Sequence, residues 1–356
     1  MALASHTQPF AFCLVSLTLL CSGCGPDDDT GQPADGLVRG FGLSPQGFPL
    51  DWAETEAFYL EVGAMERGGV MWNGAWRDDI EGASDAGEVP VMAGGLPSLG
   101  ETYSFVPILV FGWRSGDEPL LSVPGDATND WSNEQAKELF SAMLVEHAGA
   151  TQAPWVFIGN ENSAYYEQDP QDYARWVAFY EDVYDRIKAE SPTTRVGTIF
   201  NFEHLSGQGE LAGWSTPRWE ALEAHDLSKI DALGLTVYPF LHHASPADVS
   251  ADYLDPLFER IGDLPIAVTE TGWPAEDLGE LQIPWEQSPE AQVDYLDTLG
   301  GLLEGRDVPL VNWLFLHAMA DPGDSSTDWQ VFGSVSIRDG AGDERPVHEA
   351  WTAFEP

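Results

Sequence analysis

Cysteine is almost absent from the 356-residue chain. Cys13, Cys21 and Cys24 are the only ones, and none follows them. A domain built from the rest has no disulfide and no thiol nucleophile. Cations are scarce as well: 15 Lys and Arg stand against 59 Asp and Glu, a formal net charge of −44. Such a surface repels phosphate, which excludes nucleic acid as a partner and disfavours polyanionic ligands. Only 8 histidines are present, with no His-x-His pattern at the first strand and too few at other strand ends to supply metal ligands. No metal or other cofactor is expected. A Gly-rich phosphate loop is also missing; Gly94-Gly95 and Gly300-Gly301 read as turn signals.

The N-terminal apolar run, residues 10–20, is too short for a bilayer span of about 20 residues but suits the core of a signal peptide. It leads into Cys21-Ser22-Gly23-Cys24, which resembles a bacterial lipoprotein cleavage site with Cys24 as the acylated residue. Cys21 stands where such sites usually carry an aliphatic residue, and no Lys or Arg precedes Phe10. The expected organisation is a signal peptide over 1–23, a lipidated cysteine and polar tether over 24–36, and one domain over 37–356. The protein is then exported, held to a membrane only by its lipid, and monomeric.

Composition supports a well-filled core, with 43% hydrophobic and 12% aromatic residues. Past the tether, short apolar runs alternate with longer amphipathic stretches, the rhythm of a parallel sheet with crossover helices. Eight strands are expected over 38–43, 69–73, 105–112, 155–159, 195–200, 232–237, 266–269 and 310–316. Runs such as VPILVF and PIAVT fit strands buried on both faces. Helices are expected from 51 to 67, from Ser132 with Gln135 completing a capping box, and from Asp169-Pro170 to about 190. Ser245-Pro246 and Ser288-Pro289 repeat the cap-then-proline device. Residues 77–103 read as an irregular loop. Eight strand–helix units without remainder predict an α/β chain closed as a (β/α)₈ barrel of roughly 250 residues or more.

In such a barrel, chemistry sits on loops leaving the C-terminal ends of the strands. The fourth strand ends in Gly159-Asn160-Glu161 and the seventh in Thr269-Glu270-Thr271-Gly272-Trp273-Pro274. Strands four and seven face each other across the mouth. A pair of glutamates there is the equipment of a retaining glycosidase, whose carboxyls stand about 5–5.5 Å apart. Asn-Glu closing strand four and Glu-Thr-Gly-Trp-Pro closing strand seven resemble clan A of the glycoside hydrolases. In motif, the β-1,4-galactanase-like and β-1,3-glucanase-like members are nearest. By that resemblance Glu161 is acid/base, Asn160 binds the sugar 2-hydroxyl and Glu270 is nucleophile. Tyr238 matches the tyrosine that hydrogen-bonds the nucleophile, and Trp313 the tryptophan that floors the sugar site. The arginine that often supports the nucleophile from strand two has no counterpart; Arg77 lies beyond that strand.

Aromatics near strand ends, among them Trp76, Trp113, Tyr165 and Trp273, suit either stacking on sugar rings or core packing. Asn73 and Asn201 end strands two and five, placed to hydrogen-bond hydroxyls or to cap loops. The expected activity is hydrolysis of a β-linked neutral poly- or oligosaccharide. A glycan-binding barrel would explain the aromatics but not both glutamates. A transglycosylase acting on cell-envelope glycans would share the pair.

Overall fold

The computed structural model describes residues 36–47, 51–75, 91–112, 114–115, 118–119, 130–277, 284–318, 330–331 and 333–356. The segment expected to be a signal peptide, Cys24 and most of the expected tether fall outside them. Seven unbroken strands are β1 (Val38–Gly42), β2 (Gly68–Ala75), β3 (Val106–Gly112), β4 (Trp155–Ile158), β6 (Leu233–Val237), β7 (Ile266–Thr271) and β8 (Leu310–Phe315). The fifth, β5, runs in two pieces, Arg195–Gly197 and Ile199–Asn201. Its first piece pairs with β4 and its second with β6, while β1 pairs with β8. All these pairings are parallel, so the ring closes through β5. The break falls at Thr198, whose hydroxyl donates to Ile158 O at 2.7 Å and accepts from Asn162 Nδ2. The side chain takes over a place in the ladder that the backbone leaves.

Two layers of core follow from strand alternation. Inside the barrel, Val38, Met71, Ile108, Val110, Trp155, Phe157, Ile199, Ala232, Ala267 and Leu310 form an apolar plug. Outward-facing residues of the same strands pack under the helices in a second, larger cluster. Ten helices are described: α1 (Trp52–Gly63), α2 (Val91–Tyr103), α3 (Glu134–Thr151), α4 (Asn162–Gln168), α5 (Pro170–Glu190), α6 (Phe202–Ser206), α7 (Trp219–Glu223), α8 (Asp255–Ile261), α9 (Pro289–Leu303) and α10 (Pro346–Thr352). Cap-then-proline starts α5 and α9 as expected. Asp169 accepts from Gln171 N and Asp172 N, and Ser288 Oγ accepts from Ala291 N at 3.0 Å. The long α5 then buries Tyr173, Trp176, Val177, Tyr180, Val183 and Ile187, spaced three and four apart so that they share one face.

Several local expectations need correction. Residues 91–103 form a helix despite Gly94, Gly95, Pro97 and Gly100. Gly100 is there because the chain doubles back on it: a Cβ would stand 2.7 Å from Phe105 O. Gly94-Gly95 and Gly300-Gly301 are therefore helical, not turns. The cap of α3 is Asn133, which accepts from Ala136 N at 3.0 Å, so no capping box forms from Ser132. Ser245-Pro246 opens only a single 3₁₀ turn, Pro246–Asp248.

Candidate active site

Beyond the apolar plug, toward the C-terminal ends of the strands, the inward positions turn polar. Asn73 follows Met71 by two residues on β2, Asn201 follows Ile199 by two on β5, and Thr236 stands near the end of β6. Glu270 reaches this ring by an irregularity. On β7, Val268 pairs with Leu235 and Glu270 with the very next residue of β6, Thr236. Two residues of β7 thus oppose one of β6, a bulge at Thr269. Without it, inward-facing Ala267 would be followed inward by Thr269, and Glu270 would point to the helices. The bulge aims Glu270 into the mouth, while the Thr269 hydroxyl donates to Leu235 O at 3.3 Å.

Glu161 is delivered by a turn after β4. Gly159 has φ +88°, and a Cβ there would lie 2.5 Å from both Asn162 and Trp176, so only glycine fits. Glu161 itself sits in the left-handed region at φ 50°, ψ 49°, immediately before α4. For a residue with a Cβ that conformation costs of order 1–3 kcal/mol, strain that tends to be kept where function needs it.

Both carboxylates are gripped by uncharged donors. Glu161 Oε1 accepts from Thr236 Oγ1 at 2.9 Å and Asn201 Nδ2 at 3.1 Å. Glu270 accepts from Asn73 Nδ2 on Oε1 at 3.0 Å and from Tyr238 Oη on Oε2 at 3.1 Å. Thr236 and Tyr238 stand two apart at the end of β6. One strand therefore holds both acids, with Thr236 the direct neighbour of Glu270 in the sheet. Burial pushes Glu270 up to about 7, and the nearby Glu161 charge adds to it; the Tyr238 and Asn73 hydrogen bonds pull the other way. Near neutrality Glu270 is thus poised between its two protonation states. Its two donors favour the charged one.

No protein-family model matches the chain, and no curated protein sequence matches it. Solved structures do. An exo-β-1,4-mannosidase from Opitutaceae bacterium strain TAV5 superposes with a TM-score of 0.62 at 15% identity, over 90% of this chain and 59% of its own. A GH5_18 protein from Streptomyces cattleya, in complex with Manβ1-4GlcNAc, gives 0.63 at 13%, over 89% and 80%. A glycoside hydrolase family 17 β-1,3-glucanosyltransferase from Rhizomucor miehei gives 0.55 at 13%, over 87% and 96%. The fold is a (β/α)₈ barrel. At these identities the likeness is one of architecture.

Not every residue expected at the barrel mouth lies there. Glu161, Glu270, Tyr238, Asn73 and half-buried Asn160 gather at it. The Asn73 amide, expected on a sugar hydroxyl, is committed to Glu270. It occupies the supporting position for which the sequence offered no arginine. Asn201 does two things at once: it caps α6 by accepting from His204 N at 2.9 Å and donates to Glu161. Trp273 and Trp313 need correction. Both are fully buried, packed around Tyr295 in the outer layer, with their indole N–H groups donating to Glu286 O and Val335 O. On β8 the inward residues are Leu310 and Asn312, so alternation sends Trp313 outward. Neither ring has a face for a sugar. Tyr165 is likewise core, donating to Asp172. Trp76 and Trp113 lie outside the described residues.

Two participants were not singled out from sequence. Thr236 carries no signal beyond its place at a strand end. Glu203, just past β5, is fully buried. An acidic residue between Phe202 and His204, directly after a buried strand, was the available sign for Glu203.

Proposed function

We propose that the chain is a retaining glycoside hydrolase acting on a β-linked neutral poly- or oligosaccharide, with Glu161 as acid/base and Glu270 as nucleophile. The observation carrying this reading is the pair of glutamates at one mouth, held by Thr236 of β6 and by Tyr238 immediately after that strand. Glu161 protonates the glycosidic oxygen while a Glu270 oxygen attacks the anomeric carbon. The C–O bond breaks and the leaving sugar departs as an alcohol. Glu161, now a carboxylate, takes a proton from water, whose oxygen displaces Glu270 and restores both acids. Among the described residues, the donors to Glu161 converge on Oε1, which leaves Oε2 for proton delivery. A neutral substrate suits a site whose four side-chain donors are uncharged, on a chain of net charge −44.

The test is a screen of purified protein on β-galactan, β-glucan, mannan and xylan, reading reducing ends. The anomer of the first product is then followed by proton NMR. Release of the β-anomer first is expected; α first would mean inversion. Binding without cleavage would replace the enzyme with a glycan-binding barrel. A second reading has a sugar hydroxyl in place of water, making a transglycosylase. The likeness to a glucanosyltransferase nearly all of whose chain is spanned favours it. Products longer than the substrate would select that reading.

Export and a lipid anchor at Cys24 complete the proposal. Stable anchoring needs more than one acyl chain. Cys24→Ala should move the protein out of the membrane fraction, and unchanged fractionation would contradict the anchor.

A further inference from the structure

Glu203 stands in the first turn of α6, two residues past the end of β5, and is fully buried. Its Oε1 accepts the backbone N–H of Tyr238 at 2.8 Å and the Tyr253 hydroxyl at 3.1 Å. Its Oε2 is buried with no hydrogen-bond partner among the described residues. A charge left in that state, with one oxygen bare and no cation paired to it, would be expensive. The carboxyl nevertheless touches the strand end that carries the Glu270 donor. Tyr238 is held by its backbone to Glu203 and holds Glu270 by its phenol.

We propose that Glu203 is a positioning residue for the nucleophile: by fixing the Tyr238 backbone it fixes the phenol that donates to Glu270. The proposal rests on Glu270 being the nucleophile. The segment 201–203 then wires both acids, Asn201 to Glu161 directly and Glu203 to Glu270 through Tyr238. Glu203 does this as a neutral acid. Burial above all, with the Glu161 charge adding, pushes it up to about 8 against the pull of its hydrogen bonds. The groups facing it are Tyr238 from β6, Tyr253 from the segment before α8, Glu161 from the end of β4 and Tyr295 from α9. None of these is a cation. His204, next in sequence, is turned to Glu167, and His243 packs its ring on Tyr253. On α4, Tyr165 is turned to Asp172 and Glu167 to His204 and Arg218, and Tyr166 packs on Tyr173. The charged residues of α7 and α8, namely Glu220, Glu223, Asp255, Glu259 and Arg260, are exposed.

The test compares Glu203→Gln and Glu203→Ala in the full chain. Glutamine keeps a neutral acceptor in place and alanine removes it. Glu203→Ala should lower kcat on an aryl β-glycoside by roughly 10²-fold with little change in KM, as expected of a displaced reacting group. Glu203→Gln should stay within a few-fold of wild type. Carbon-13 carboxyl spectra should show Glu270 titrating higher in the alanine variant, which loses the Tyr238 donor, and unmoved in the glutamine variant. Thermal stability supplies a readout independent of activity. The unfolded chain ionises Glu203 near its ordinary value while the folded one keeps the proton to about 8, so wild type loses stability as pH rises between those values. The Tm of Glu203→Gln should therefore gain on wild type from pH 5 to pH 8. An alanine variant with unaltered kcat and Glu270 titration would overturn the positioning role. So would a glutamine variant as impaired as alanine, and an offset in Tm constant with pH would overturn the neutral acid. Should alanine not fold, the glutamine comparisons still decide. If wild type cleaves no glycoside, the nucleophile reading fails on activity alone, while spectra and melting still judge Glu203.

Discussion

Followed along the barrel axis, β2 places Met71 inward and then Asn73, β5 places Ile199 and then Asn201, and β7 places Ala267 and then, across a bulge, Glu270. The same strands thus build an apolar floor and a polar mouth two or three residues apart. At the floor the inward side chains are held mainly by packing, with Met71 Sδ also accepting from Asn312 Nδ2. At the mouth each one is committed to another: Asn73 and Tyr238 to Glu270, Asn201 and Thr236 to Glu161. Stability therefore belongs to the floor and chemistry to the mouth. Substitutions at the two ends should separate the two properties.

The largest separation is expected at Glu270. Glu270→Gln should lower turnover of an aryl β-glycoside by roughly 10⁴-fold or more, the scale of losing a nucleophile. It should not lower stability. The folded-state value for Glu270, about 7, lies above the unfolded value, so wild type loses stability as pH rises toward 7 and the variant does not. Melting curves at pH 5 and pH 8 should show the variant gaining on wild type at the higher pH. A variant that melts far below wild type at pH 8 would break the contrast between floor and mouth.

Phe157 tests the other end. It is fully buried in the plug and stacked on Trp155 at 5.9 Å. Phe157→Ala should cost about 3–5 kcal/mol in denaturant unfolding. The pH dependence of whatever activity remains should keep its midpoint, because Phe157 belongs to the apolar plug and not to the polar ring at the mouth. A shifted midpoint would show floor and mouth to be coupled.

A smaller and sharper effect is expected at Asn73. Asn73→Ala removes one of two donors to Glu270 and should lower kcat/KM by roughly 10²-fold. That donor pulls the Glu270 value down, so its loss should move the acid limb of the pH–rate profile upward from about 7. An acid limb that stays in place would mean that Asn73 does not hold the nucleophile.

Much of this was legible in the sequence, for identifiable reasons. Near-continuous apolar strands made the barrel countable, and two of them stop at a glutamate, which located Glu161 and Glu270. Asp169-Pro170 and Ser288-Pro289 gave helix starts because capping chemistry is local. What could not be read depends on parity or on distant partners. The bulge at Thr269 decides that Glu270 faces the mouth, and nothing in Val268-Thr269-Glu270 announces it. Trp313 was placed in the sugar site because it lies on β8, but its parity with Asn312 sends it outward. Asn73 was legible as a strand end, not as a support for a residue 197 positions away. Helix α2 was hidden by its glycines and proline; of these, Gly100 is set by the close approach to Phe105, while a Cβ on Gly95 would meet nothing.

The central claim is that two glutamates at one mouth divide the work. Glu161→Ala in the presence of azide tests it most directly. With an aryl glycoside, whose leaving group needs little proton donation, Glu270 should still form the glycosyl intermediate, which should then persist for want of a base. Azide needs no general base, so it should restore turnover and yield the β-glycosyl azide. No rescue, or an azide of α configuration, would contradict the assignment of Glu270 as nucleophile and Glu161 as acid/base.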